Sequence, residues 1–285
     1  MSRTGTIARS GHCAALAAAV MVVFAGPHDG AAARTVIHDL GSVAGECFML
    51  RPLDGSELHV ANALECRTKR SPASTFKVPH ALIALETRVV PTSGAPVKWD
   101  GSTQPFPSWQ RDHSLESAIR SSVLWFFRRT AAAIGRDAMQ EWLRKIRYGD
   151  DTFARDATSF WVNGDLVISP QEQLDFLARM FRYELAVSRA SVDAVARALT
   201  MPAGTITNAA GSHRFVTGWP RGTILRAKTG NTRVDNENVS WLVGEIDSRG
   251  RRYVFVARTR SAKTLPTTAG AKVAERYLRR LVPRF

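Results

Sequence analysis

A hydroxyl and a primary amine three residues apart, Ser74 and Lys77, stand in the run Ser71-Pro72-Ala73-Ser74-Thr75-Phe76-Lys77. If a helix begins near Ser74, both groups lie on one face and can reach each other. A serine becomes a useful nucleophile only when a neighbour removes its proton, and a lysine with its charge suppressed can do so. The same spacing also suits a serine cap followed by a surface lysine, so other groups must decide. Ser121-x-Val123 offers a second hydroxyl at the start of an apolar helix. Lys228-Thr229-Gly230 ends a strand: a cation and a hydroxyl there can hold a carboxylate, and the glycine lets a substrate come close to the backbone. Nucleophile, base, relay and anion anchor are the parts of an acyl-transfer site.

The elements that must position them follow from periodicity. Alternating segments at 46–51 and 57–60, joined by Asp54-Gly55, predict a β-hairpin. The helix from Ser74 carries Phe76, Val78, Leu82, Ile83 and Leu85, and Pro79 lies near enough its start to cost little hydrogen bonding. A loop rich in Pro, Gly and Ser over 91–108 contains Trp99, with Trp109 just beyond. Ser114 caps a short helix through Ile119, and Met139, Trp142, Leu143 and Ile146 mark an amphipathic helix over 136–146. Ser169-Pro170-Gln171-Glu172 is a capping box that opens a helix burying Leu174, Leu177 and Phe181. After a short helix over 192–199 come strands at 223–227, 239–246 and 253–258, then a last helix through Val273, Tyr277, Leu278 and Leu281. This order predicts a mixed α+β fold. An antiparallel sheet is flanked by N- and C-terminal helices, with an all-helical insertion over about 91–205.

The chain of 285 residues carries a formal charge of +14, but its Arg and Lys are scattered in pairs at most. Without a basic stripe or a recognition motif we expect no nucleic-acid partner; a basic surface can still attract anionic small molecules. Arg3 and Arg9, an apolar run over 13–24 and Ala31-Ala32-Ala33 read as a signal peptide over 1–33, leaving one domain over 34–285 without a membrane span. The expected location is periplasmic or secreted. Cys13 leaves with the signal, and Cys47 and Cys66 remain, either bridged or as two buried thiols.

Taken together, Ser74-Thr75-Phe76-Lys77, Ser121-x-Val123, Tyr148-Gly149-Asp150, Phe160-Trp161, the segment Ile168 to Gln173 and Lys228-Thr229-Gly230 resemble the motif set of class D, OXA-type β-lactamases. The likeness runs from Cys47 to the last helix. It implies hydrolysis of the β-lactam amide, and so antibiotic resistance, through an acyl-enzyme on Ser74. It also implies that Lys77 adds CO₂ to become a carbamate (N6-carboxylysine) that serves as the base. Because a free lysine titrates near 10.4, an apolar pocket, for which Val123, Phe76 and Leu124 are the candidates, must first depress it. By the same resemblance Trp161 holds the carbamate, Ser121 relays a proton and Lys228 assists it. Thr229, Gly230 and Asn231 bind substrate, and the backbone N–H groups of Ser74 and Asn231 form an oxyanion hole. The resemblance implies no metal, and bicarbonate or CO₂ is the only accessory. Two departures stand out: Asp150 replaces an expected asparagine, and Lys272 occupies the region of a carboxylate-binding arginine or else faces solvent. A penicillin sensor that stays acylated and a D,D-peptidase are the alternative readings, and homodimerisation is left open.

Overall fold

The computed structural model describes residues 35–91, 94–154 and 156–281; the expected signal peptide lies outside them. In chain order the elements are β1 (Val36–Asp39), β2 (Glu46–Pro52), β3 (Glu57–Ala61), the single turn α1 (Ala63–Cys66) and α2 (Lys77–Glu86). Then come α3 (Leu115–Arg120), α4 (Leu124–Ile134), α5 (Arg136–Ile146), α6 (Phe160–Asn163), α7 (Pro170–Phe181) and α8 (Arg189–Leu199). The hairpin β4 (Thr205–Asn208) and β5 (Gly211–Arg214), the long strands β6 (Ile224–Val234), β7 (Glu237–Ser248) and β8 (Arg251–Ser261), and α9 (Ala269–Leu281) complete the chain.

Six strands form one sheet in the order β1-β3-β2-β8-β7-β6, so segments from both ends of the chain meet where β2 pairs antiparallel with β8. Every pair is antiparallel except β1 with β3, which run parallel. The middles of β7 and β8, 241–243 and 253–257, are apolar on both faces because both faces are covered. On β8, Val254 and Val256 join the core beneath the helices, while Tyr253, Phe255 and Ala257 join a second core under α9; this is the two-residue alternation of a pleated strand. The expected mixed α+β architecture is therefore present, with α9 on one face and the helical body on the other.

Local chemistry ends the helices where the site needs them to end. Ser114 accepts the Ser117 N–H at the start of α3, and Ser169 with Glu172 makes the reciprocal capping box of α7, Pro170 being its first residue. Cys47 on β2 and Cys66 at the end of α1 form a disulfide, so of the two sequence alternatives the bridged one is found. Several short elements went unforeseen, among them β1, the hairpin β4–β5 and the single turns α1 and α6. β1 is a four-residue strand of mixed polarity, and β4–β5 is a short polar hairpin; neither has an apolar pattern to announce it.

Candidate active site

Ser74 sits in a 3₁₀ turn, Ala73–Phe76, that leads directly into α2, and Lys77 is the first residue of that helix. The turn is held from several sides. Thr75 Oγ1 donates to Pro72 O at 2.7 Å and accepts from Gln173 Nε2 of α7 at 2.7 Å; Ser71 Oγ donates to Trp161 O, and the Trp241 indole donates to Ser71 O. Ala73 has φ +51°, a left-handed conformation that costs a non-glycine residue and that surrounding structure must enforce. β6 passes against this turn at Gly230, where an added Cβ would stand 2.9 Å from Pro72 O and 3.1 Å from Thr75 N. The expected reason for that glycine was room for substrate. The structure shows that the close approach is made by the nucleophile's own backbone.

The outcome is a Lys77 Nζ to Ser74 Oγ distance of 2.8 Å. Lys77 is 1% exposed. Burial, then the nearby Lys228 and Arg128 charges, push its pKa well below the ordinary lysine value, so the amine is driven toward the neutral form that can accept a proton. Of the expected wall, Leu124 lines the cavity, Phe76 stacks on Trp161 and Val123 is buried; the Phe127 ring, 5.4 Å from Nζ, is an addition. His80, one turn along α2, went unnoticed in the sequence. Its ring meets Trp161 edge-on at 5.5 Å, it contacts Thr130 Oγ1 at 3.1 Å, and burial holds its pKa at about 3, so it stays neutral.

The second hydroxyl belongs to Ser122. Its Oγ accepts from Lys228 Nζ at 3.1 Å and lines the cavity, whereas Ser121 presents its carbonyl to the Trp109 indole and does not line it. The cause is the end of α3. Val123 N–H returns to Ala118 O and Ser122 N–H to Ile119 O, the paired bonds of a Schellman motif, with Ser122 as the left-handed residue at φ +57°. That position normally takes glycine, so holding a serine there costs free energy that the surrounding structure must offset. Lys228, 1% exposed, also donates to Thr229 O at 3.0 Å, and burial brings its pKa down to about 7.

A cavity of about 200 Å³ opens over Ser74, Lys77 and Ser122; its rim includes Phe106 and Trp109 on one side, and Asn208, Thr229, Asn231 and Thr267 on the other. Asn231 Nδ2 donates to Thr267 O at 3.1 Å, tying β6 to the approach to α9. Trp161 is completely buried, and its indole N–H finds no acceptor among the described residues. A buried donor of this kind calls for a partner, and a carboxylate on the Lys77 nitrogen fits that need.

Lys272, expected to bind substrate, lies elsewhere, and so does the unusual Asp150. Lys272 does not line the cavity: its side chain is 65% exposed and pairs with Glu275 at 3.1 Å, because α9 turns Ala271, Val273 and Ala274 inward and leaves position 272 outside. Asp150 is no part of the cavity either; its carboxylate accepts the Val167 N–H at 3.1 Å, and partial burial raises its pKa. The neighbouring Gly149, at φ +63°, is required because a Cβ would stand 2.6 Å from Val167 O. Among the described residues, the one cluster of side chains able to hold a metal is far from this cavity, on β1 and β3.

Comparison with known proteins agrees with this geometry. The model of the penicillin binding protein transpeptidase domain matches residues 54–282. The chain is 31% identical over 230 residues to the "Probable beta-lactamase YbxI" of Bacillus subtilis (strain 168), covering 81% of this chain and 80% of that protein. It is 36% identical over 200 residues to "Beta-lactamase OXA-48" of Klebsiella pneumoniae, covering 70% and 68%. Among solved structures, the C-terminal domain of the Bacillus licheniformis BlaR penicillin-receptor superposes with a TM-score of 0.72 at 26% identity, over 85% of this chain and 90% of that one.

Proposed function

Because the chain belongs to the penicillin binding protein transpeptidase domain family and has class D β-lactamases among its relatives, we propose that it hydrolyses β-lactam antibiotics through an ester on Ser74. The observation that carries this reading is the 2.8 Å contact between Ser74 and a lysine whose charge is suppressed by burial. A carbamate on Lys77, formed when its neutral amine adds CO₂, would take the Ser74 proton as Oγ bonds to the lactam carbonyl carbon. The backbone N–H groups of Ser74 and Asn231 hold the developing oxyanion, a contribution worth about 3 kcal/mol per donor. As the C–N bond breaks, Ser122 delivers its proton to the departing nitrogen and is resupplied by Lys228, which lies 3.1 Å away. Thr229 and the Asn208 and Asn231 amides line the side of the cavity next to Lys228, and we assign the substrate carboxylate to that side.

CO₂ added to the Lys77 nitrogen would supply a carboxylate able to take a proton from the hydrolytic water. The buried Trp161 Nε1, which has no acceptor among the described residues, supports this reading as the donor to that group. Acidified, degassed protein should lose activity and regain it with bicarbonate, and ¹³C-labelled bicarbonate should give one carbamate resonance that Lys77→Ala abolishes. Full activity without bicarbonate, and no such resonance, would leave Lys77 as a free amine. We further propose that the protein works outside the cytoplasm, in an oxidising compartment where the Cys47–Cys66 bridge persists. The likeness to a penicillin-receptor domain favours one second reading, a sensor that is acylated and not released; turnover separates the two.

A further inference from the structure

At the edge of the sheet opposite the Ser74 cavity, His38 of β1 lies directly across the parallel ladder from His59 of β3, and Glu57 precedes His59 by two residues. Alternation along β3 puts Glu57 and His59 on one face, and the register brings His38 to the same face. The three side chains converge. His38 Nε2 is 3.3 Å and His59 Nε2 3.4 Å from a single oxygen, Glu57 Oε2, and all three atoms lie within 4.8 Å of one another. The imidazole rings stack at 4.5 Å with 13° between their planes, so one ring must turn about its side-chain torsion for both nitrogens to face a single ion.

A tetrahedral zinc-type ion binds nitrogen and oxygen at about 2.0–2.1 Å, which sets its ligand atoms about 3.3–3.4 Å apart. Both measured nitrogen–oxygen separations are edges of that size. Two imidazole nitrogens and a carboxylate are donors that such a cation takes, and the carboxylate offsets part of its charge. His38 and Glu57 remain about a quarter to a third exposed, so an ion and a water at the fourth position can enter from solvent.

We propose that His38, Glu57 and His59 form a binding site for a divalent transition metal of the zinc class, which fastens the edge strand β1 to β3. β1 is only four residues long and contains no fully buried residue, so apolar packing alone holds it weakly. Two imidazoles with a carboxylate suit Zn²⁺ far better than Ca²⁺ or Mg²⁺, which prefer all-oxygen shells. The site is independent of the reaction at Ser74 and departs from the metal-free expectation drawn from the sequence.

The test uses untagged full-length protein stripped with chelator and titrated with Zn²⁺ by calorimetry, with Co²⁺ as a spectroscopic probe. Expected are one Zn²⁺ per chain, a melting temperature that rises with Zn²⁺ and falls back on chelation, and a visible Co²⁺ spectrum of the tetrahedral type. His38→Gln and Glu57→Gln, both at partly exposed positions, should each weaken binding by more than about tenfold, since loss of a mere outer-shell partner already costs 10- to 100-fold. Binding below one equivalent, or binding unchanged in both variants, would overturn the site and leave an imidazole–carboxylate hydrogen-bond cluster.

Discussion

Adjacent serines with different partners show how much depends on a single residue's backbone. Ser121 and Ser122 are chemically identical, and the left-handed turn at the end of α3 alone decides which hydroxyl meets Lys228. If Ser122 relays the proton, Ser122→Ala should lower kcat/KM for penicillins by roughly 10²-fold or more, in the range of general acid–base effects. Ser121→Ala should stay within a few-fold of wild type, and the reverse ranking in steady-state kinetics would assign the relay to Ser121. The buried lysines also leave a signature in stability. Lys228 titrates at about 7 in the folded protein and near 10.4 when unfolded, so between those values the unfolded chain binds more protons. Unfolding free energy must therefore rise with pH across that window: the cost of burying Lys228 is fully present below about pH 7 and disappears above about 10.4. Lys77 acts in the same direction. Urea midpoints measured from about pH 7 to 9.5 should climb more steeply for wild type than for Lys228→Met, and parallel curves would mean that Lys228 is charged in the fold.

At the scale of elements, the site is a crossing of the α2 turn, the α3–α4 junction and β6, and the crossing is tight. Gly230→Ala would press a methyl against Pro72 O and Thr75, atoms of the nucleophile's turn that cannot swing away. Overpacking of this kind costs about 1–3 kcal/mol, so the melting temperature should fall by several degrees. Hydrolysis should fall by about 10²-fold, as expected when reacting groups shift by an ångström; unchanged kinetics would show that the turn has slack. Which elements could be read from the sequence follows from the range of the forces that form them. The capping box at Ser169, the Ser114 cap and the stripe of α5 are local, and they were legible. β1 pairs through register with a strand about twenty residues away and carries little apolar signal, so it was not. Ser122 was missed because the motif names a spacing, whereas the Schellman turn depends on where α3 stops. Lys272 carried its own warning: the stripe Val273, Tyr277, Leu278 and Leu281 had already placed position 272 off the buried face of α9.

Across the whole molecule, a protein of net charge +14 buries Lys77 in the lining of a cavity and Lys228 beside it, hydrogen-bonded to the cavity residue Ser122. That field is suited to anionic small molecules, and no helix among the described residues is long and apolar enough to cross a membrane. The family supplies both enzymes and receptors on this architecture. Under the proposed reading, an enzyme and a receptor are told apart by whether water opens the ester on Ser74. The most direct measurement is the time course of a chromogenic cephalosporin mixed with a known amount of protein, in bicarbonate, for wild type and Ser74→Ala. We expect wild type to consume many equivalents at a steady rate and Ser74→Ala to consume none. One equivalent released in a burst and then no more, or turnover that survives loss of the Ser74 hydroxyl, would contradict hydrolysis through that serine.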